Sequence, residues 1–130
     1  MRRVRVLVVD DHQMLREALV GMLELCGFEV VGAVGDGADA TSMAAQLAPD
    51  VVLMDLSMPV VNGLDATRLL REVAPAAAVV AFSAFDSPEL KRRAFAAGAV
   101  AFLPKGCGTD RLRATLEAAV TMAGSDLHRG

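Results

Sequence analysis

Three aspartates stand directly after apolar segments that look like β-strands, and their carboxylates could hold a cation. Asp10 and Asp11 follow the run VRVLVV at residues 4–9, and Asp55 follows VVLM at residues 51–54. Like charges repel and disfavour ionisation unless a positive group lies among them. A hard divalent cation with oxygen ligands, such as Mg²⁺, would offset that repulsion. The three residues therefore predict a magnesium site.

Two further strand ends carry groups that suit phosphate chemistry, Ser83 and Lys105. A metal and an ammonium offset the charge of a phosphoryl group while a carboxylate oxygen attacks phosphorus in line. Each residue alone has an ordinary interpretation: a helix cap for an aspartate, a turn hydroxyl for Ser83, a solvated charge for Lys105. Four strand ends out of five with such groups favour a site for phosphoryl transfer.

The elements that must position these residues alternate between short apolar strands and helices. The predicted strands are residues 4–9, 28–34, 51–54, 78–82 and 100–103. The predicted helices are residues 13–26, 38–47, 64–73 and 88–97, and a last one from Thr109 or Asp110 to Gly124. The helix predictions are based on apolar residues spaced to lie on one helix face and on Gly or Ala-Pro at the helix ends.

This alternation predicts an α/β fold, a doubly wound parallel sheet with helices on both faces. In such a sheet, sites form beyond the carboxyl ends of the strands where the winding order reverses. If the strand order is 2-1-3-4-5, the ends of the first and third strands are neighbours. Asp10, Asp11 and Asp55 would then converge in one crevice.

Length and composition limit the classes of function. The 130 residues suffice for one domain, and 54% apolar with 22% charged residues indicates a packed globule. A net charge of −3 argues against nucleic acid binding by this chain. The apolar start is interrupted by Asp10 too early for a secretory signal, and no apolar stretch is long enough for a membrane span. We therefore expect a cytoplasmic location.

The segments carrying these residues resemble the receiver domain of two-component response regulators. They are VLVVDDHQMLREAL, PDVVLMDLSMPVVNGLDATRLLR, VVAFSAFD and GAVAFLPKG, in the order of that family. The start DDHQMLREAL is particularly similar to receivers of LuxR/NarL-type transcription factors. The resemblance implies a flavodoxin-like (βα)5 fold over residues 1–124, with residues 125–130 as the start of a linker or tail.

The resemblance also implies the role of each site residue. Asp55 would be the phosphoacceptor, and Asp10, Asp11, Asp55 and the backbone carbonyl of Ser57 would hold Mg²⁺, Asp10 through water. Lys105 would contact the phosphoryl oxygens. Ser83 and Phe102 would form the switch.

Two features depart from the common family pattern. Pro104 precedes Lys105, whereas the family often has Lys-Pro at this point. Phe102 lacks a tyrosine hydroxyl, so any rotation of its ring would be driven by burial alone. An ordinary core aromatic that never moves is an equally good interpretation of Phe102.

The predicted function is a phosphorylation switch that receives its phosphoryl group from a sensor histidine kinase and controls a DNA-binding domain absent from this chain. A homodimer through helix four, strand five and helix five, or through helices one and five, is a possible partner arrangement. The chain would catalyse only its own phosphotransfer and dephosphorylation.

Other functions stay open on the sequence. A stand-alone or phosphorylation-independent receiver would act through protein contacts, although the complete residue set argues against the second. A Mg²⁺-dependent phosphohydrolase would be expected to have D-x-D after the first strand, where this chain has Asp10-Asp11-His12. A nucleotide- or flavin-binding module would be expected to have G-x-G-x-x-G there, and it is missing.

Overall fold

A computed structural model describes residues 2–57 and 62–129 as five strands alternating with five helices. The strands are β1 (Arg5–Val9), β2 (Glu29–Val34), β3 (Val51–Asp55), β4 (Ala78–Ser83) and β5 (Ala101–Pro104). The helices are α1 (Gln13–Leu25), α2 (Gly37–Leu47), α3 (Gly63–Val73), α4 (Pro88–Ala97) and α5 (Thr109–Arg129). No helix among the described residues is long and apolar enough to cross a membrane.

The strands form one parallel sheet in the order β2-β1-β3-β4-β5, which confirms the predicted topology. The central strands β3 and β4 are buried at every residue because helices cover both faces of the sheet. Asp55 pairs with Phe82 in the register of β3 with β4, and Ser83 pairs with Pro104 in the register of β4 with β5. The site residues thus end neighbouring strands at one edge of the sheet.

Two apolar cores lie on the two faces of the sheet. Residues that alternate along each strand point to opposite faces. On one face, Leu7, Val52 and Met54 pack against side chains of α2, α3 and α4. On the other face, Val8 and Leu53 pack with residues of α1 and α5. The helices are therefore fixed on a sheet whose carboxyl edge stays open for a site.

Polar side chains cap the N-termini of four helices. The residue before the first helical turn accepts a backbone N–H in α1 to α4, which satisfies a donor that the helix leaves unpaired. These N-cap residues are His12, Asp36, Asn62 and Ser87. His12 is exposed and is the N-cap of α1.

Most predicted boundaries agree with the structure within one residue, and one does not. The strands β3 and β4 include Asp55 and Ser83, so these residues end the strands and do not follow them. Helix α5 continues through Gly124 to Arg129, and its predicted end at Gly124 is wrong. An internal glycine costs a helix only about 1 kcal/mol, which the residues after it can tolerate. That residues 125–130 begin a linker stays a prediction.

Candidate functional site

The carboxyl edge of the sheet brings the predicted site residues together. Asp10, Asp55 and Ser83 are fully buried, whereas Asp11 is exposed. Carboxylate oxygens of the three aspartates all lie within 4.8 Å of one another. The Lys105 side chain, 19% exposed, lies among them. The site therefore has a buried floor and one acidic group open to solvent.

Backbone groups hold one oxygen of each buried carboxylate. The N–H of His12 donates to Asp10 Oδ1 at 2.7 Å, and the N–H of Ser57 donates to Asp55 Oδ1 at 2.9 Å. In each case the donor is two residues further along the chain, so a local turn fixes the orientation of the carboxylate. The second oxygens, Oδ2 of Asp10 and of Asp55, are left for other partners.

The ammonium of Lys105 bridges the two buried carboxylates. Its Nζ atom lies 3.3 Å from Asp10 Oδ2 and 3.1 Å from Asp55 Oδ2. The aromatic ring of Phe82 lies beside it, with its centroid 5.0 Å from Nζ, within the range of a cation–π interaction. The backbone N–H of Lys105 donates to the carbonyl oxygen of Ser83 at 2.8 Å, which ties the β5 end to the β4 end.

Burial raises the pKa of the Asp55 carboxyl above its ordinary value of 3.8. The N–H of Ser57 and the ammonium of Lys105 oppose this rise because both stabilise the ionised form, whereas the charge of Asp10 adds to it. Burial is the largest of these effects. A further cation at this position would stabilise the carboxylate form.

The donor set fits a hard divalent cation. Asp10 Oδ2 and Asp55 Oδ2 are buried without a hydrogen bond of good geometry from any described residue, although Lys105 is within ion-pair distance. Buried oxygens of this kind are costly unless a partner satisfies them. Oxygen ligands together with an exposed carboxylate, Asp11, which leaves room for waters, match the preference of Mg²⁺.

Of the two predicted switch residues, Ser83 ends β4 beside Lys105, and Phe102 lies in β5. Ser83 Oγ accepts a hydrogen bond from the N–H of Phe85 at 3.0 Å, which leaves its own proton for another acceptor. Phe102 is buried, 8% exposed, and Lys91 Nζ lies 5.6 Å from its ring centroid. The structure therefore places Phe102 in the core. Any rotation of its ring stays a prediction.

The start of α3 lies close to the backbone at the end of β3. A Cβ on Gly63 would lie 2.2 Å from the carbonyl oxygen of Asp55 and 2.6 Å from Cα of Leu56. No side chain fits there, so Gly63 meets a backbone requirement at the start of α3. Met58 and Pro59, which follow Ser57 in the sequence, lie outside the described residues.

Sequence reasoning missed two residues that contact the site. Phe82, beside Lys105, has the apolar character of any core strand residue, so only the strand register could have pointed to it. Arg16 donates a hydrogen bond from Nη1 to the carbonyl oxygen of Asp10 at 2.8 Å. Its position, six residues after Asp10 and one helical turn after His12, was a usable signal.

Comparisons with known proteins agree with this geometry. Residues 6–117 match the family described as the response regulator receiver domain. The response regulator GacA of Pseudomonas viridiflava is 42% identical over 106 residues, which are 81% of this chain and 50% of that protein. The protein-glutamate methylesterase/protein-glutamine glutaminase 4 of Geobacter metallireducens is 44% identical over 108 residues, 81% of this chain and 31% of that protein.

A solved structure is similar over most of the chain. It is a two-component response regulator of the LuxR family from Aurantimonas sp. SI85-9A1, with a TM-score of 0.87 and 30% identity. The similarity covers 92% of this chain and 86% of that one. The chain spans about half the length of curated relatives such as GacA.

Proposed function

This chain belongs to the response regulator receiver domain family, and from that membership we propose that Asp55 accepts a phosphoryl group from the phosphohistidine of a sensor histidine kinase. One observation carries the assignment to Asp55. Its Oδ2 atom is buried, lies 3.1 Å from the ammonium of Lys105, and has no hydrogen bond of good geometry from a described residue. An oxygen so placed is available to attack.

The transfer would exchange one bond to phosphorus for another. An oxygen of the Asp55 carboxylate attacks phosphorus, the O–P bond forms, and the P–N bond of the phosphohistidine breaks. The imidazole leaves with the electron pair of that bond, and a proton taken up at that nitrogen from solvent leaves the ring neutral. Water later attacks phosphorus and releases inorganic phosphate, which regenerates the carboxylate.

The residues around Asp55 would stabilise the charge that collects on the phosphoryl oxygens. Lys105, already among the carboxylates, can turn its ammonium toward a phosphoryl oxygen. Ser83 can donate its hydroxyl proton to another. Mg²⁺, held by Asp10, Asp11, Asp55 and the backbone carbonyl of Ser57, would neutralise part of the same negative charge.

Phosphorylation would act through the region between Ser83 and β5. The added phosphate carries about −1.5 to −2 charges and three acceptor oxygens, which attract a hydroxyl and an ammonium. Lys105 is tied to Ser83 by a backbone hydrogen bond, so a shift of one would move the other. Phe102 lies in β5, three residues before Lys105, and is the second switch residue. The output surface would be α4-β5-α5 or α1/α5, where a homodimer could form.

The output attached to this receiver is a proposal as well. The LuxR-family similarity favours control of a DNA-binding domain, with this chain itself making no nucleic acid contact and working in the cytoplasm. The similarity to a methylesterase/glutaminase shows that related receivers also occur in proteins named as enzymes. We propose that this chain itself is a phosphoacceptor that turns over no small substrate.

The test is phosphorylation by acetyl phosphate or by a histidine kinase with Mg²⁺ present. Intact mass should increase by one phosphoryl group, and Asp55→Asn should abolish the increase. Turnover of a small phosphate ester without a lasting protein adduct would favour a phosphohydrolase instead. Equal labelling of the Asp55→Asn variant would refute the assignment of the acceptor.

A further inference from the structure

Arg16, in the first turns of α1, contacts the backbone of the site residue Asp10. Its guanidinium is half-buried, and Nη1 donates a 2.8 Å hydrogen bond to the backbone carbonyl oxygen of Asp10. It is therefore attached to the backbone of the acidic segment. None of the roles proposed above uses this residue.

Three hydrogen bonds fix the position of Asp10, and Arg16 donates one of them. The N–H of Asp10 donates to the carbonyl oxygen of Val34 at 3.0 Å, and Asp10 Oδ1 accepts from the N–H of His12 at 2.7 Å. The Arg16 contact fixes the remaining backbone group, the Asp10 carbonyl. With all three in place, Asp10 Oδ2 faces Lys105.

The Asp10 carbonyl belongs to the peptide plane that joins Asp10 to Asp11. Since a peptide unit is planar, fixing that carbonyl also fixes the N–H of Asp11 and limits the directions available to its side chain. Asp11 is exposed and has no side-chain hydrogen bond or ion pair with a described residue. Its carboxylate therefore depends on the backbone for its position.

We propose that Arg16 is a positioning residue, which holds the Asp10–Asp11 peptide so that both carboxylates face the cation site. The inference rests on the proposed function, because it concerns the same Mg²⁺-dependent site. It assigns Arg16 no contact with the phosphoryl group. Residues that orient metal ligands commonly change metal affinity ten- to a hundred-fold when they are lost.

Gly35, which follows β2, leaves the space that the guanidinium occupies. A Cβ built on Gly35 would lie 3.0 Å from Arg16 Nη1 and 3.9 Å from the Asp10 carbonyl oxygen. Alanine at this position would press on the guanidinium without requiring a strained backbone. Gly35→Ala therefore disturbs the Arg16 contact while keeping the arginine.

A simple charge effect would give the opposite result from a positioning effect. Removing a cation near three carboxylates should make the site more negative and bind Mg²⁺ more tightly. If Arg16 instead positions Asp10, losing its hydrogen bond should weaken the binding of Mg²⁺ to the site. The direction of the change in Mg²⁺ affinity therefore distinguishes the two roles.

The experiment measures Mg²⁺ affinity of Arg16→Met and Arg16→Lys by calorimetric titration, with Arg113→Met on α5 as the matched control. We expect Mg²⁺ binding to be weaker by roughly ten-fold or more in Arg16→Met. Arg16→Lys should recover part of the affinity because lysine can still donate one hydrogen bond. The control should show no change. In the Mg²⁺-free protein, the His12 amide should exchange faster in Arg16→Met. Unchanged or tighter Mg²⁺ binding in Arg16→Met would overturn the proposal.

A double-mutant cycle with Gly35→Ala provides a second test. If Gly35 acts through Arg16, Gly35→Ala weakens Mg²⁺ binding in the wild type and has no further effect in Arg16→Met. Equal effects in both backgrounds would refute the coupling. If Arg16→Met did not fold, Gly35→Ala alone would decide, since an unchanged affinity there would contradict the proposal.

Phosphorylation by acetyl phosphate separates failure of this inference from failure of the proposed function. The labelling rate of Arg16→Met should fall at low Mg²⁺ and recover at saturating Mg²⁺, because Arg16 acts only through the cation site. A wild-type protein that binds Mg²⁺ but is never labelled would refute the proposed function and leave the Mg²⁺ test standing. A labelled wild type with an identical Arg16→Met profile would refute the inference alone.

Discussion

Gly63 packs so closely against Asp55 that a Cβ on the glycine would lie 2.2 Å from the Asp55 carbonyl oxygen. The start of α3 is thereby fixed against the end of β3, where Asp55, the proposed phosphoacceptor, lies. The contact is with backbone atoms, which cannot move aside as a flexible side chain can. The requirement is for space, since the Gly63 backbone is not left-handed.

Gly63→Ala should therefore destabilise the protein and disturb Asp55. We expect a loss of roughly 1–3 kcal/mol in the free energy of unfolding, as for other forced displacements of packed groups. Urea unfolding measures it. Gly21→Ala within α1, where a Cβ meets no atom within 4 Å, is the control and should be neutral or stabilising. Equal stability of Gly63→Ala and wild type would mean that the β3–α3 loop adjusts freely.

Mg²⁺ should stabilise the native protein, and Asp11 should be needed for it. A ligand at ten times its dissociation constant adds about 1.4 kcal/mol, which raises the melting temperature by several degrees. Asp11→Asn should lose most of this gain yet fold normally, because Asp11 is exposed and caps no helix. Glu24→Gln, an exposed acid near the other end of α1, should keep the gain. Thermal melts with and without Mg²⁺ measure all three proteins.

Lys105→Ala should impair phosphorylation and destabilise the Mg²⁺-free protein. The substitution leaves the buried carboxylates of Asp10 and Asp55 without their ion-pair partner. We expect this to lower the free energy of unfolding by roughly 2–4 kcal/mol. Mg²⁺ should recover part of that stability because it would be the remaining cation in the site. Lys91→Ala, which removes a half-exposed ammonium, is the control. Normal labelling of Lys105→Ala would remove Lys105 from the proposed mechanism.

Ala48→Gly should stabilise the protein, away from the site. Ala48 ends α2 in the left-handed conformation, with φ 48°, where a Cβ is strained. Glycine removes the strain, but its greater freedom in the unfolded chain opposes part of this gain. We therefore expect the free energy of unfolding to increase by about 0.5–1 kcal/mol. The control is Ala45→Gly in the exposed interior of α2, which should lose about 1 kcal/mol. Chemical denaturation of both variants gives the comparison.

The sequence predicted the fold and the composition of the site because both depend on local patterns. Apolar runs fixed the strands, and the residue types at their ends identified Asp10, Asp55, Ser83 and Lys105. The resemblance to response regulator receivers, and to those of the LuxR type, is confirmed. Burial of Asp55 and Ser83 inside the strand ends could not be read from residue types, because it depends on the register of neighbouring strands.

Two side-chain contacts of the site were not predicted from the sequence. The position of Arg16, one helical turn after His12, was a usable signal for its contact with the Asp10 carbonyl. Phe82 lies beside Lys105 only because β4 and β5 are neighbours in the sheet. The end of α5 was missed for a different reason, since a single glycine costs a helix only about 1 kcal/mol and is therefore a weak stop signal.

Asp55→Asn should make the Mg²⁺-free protein more stable at neutral pH. The native pKa of Asp55 is raised above its ordinary value of 3.8, chiefly by burial, so the native state holds this proton more tightly than the unfolded state does. The favourable contribution of Asp55 to the free energy of unfolding is therefore fully present below its ordinary pKa. It is lost as the pH rises through the raised pKa. Asparagine carries no charge and avoids that loss.

The stability advantage of Asp55→Asn over wild type should thus be largest above the raised pKa and shrink toward acid pH. Urea unfolding of both proteins across this pH range, with a chelator present, measures the difference. Asp65→Asn, an exposed carboxylate on α3, is the control and should not show the same pH dependence. If the Asp55→Asn advantage grew toward acid pH, Asp55 would be a carboxylate stabilised by its ion pair with Lys105.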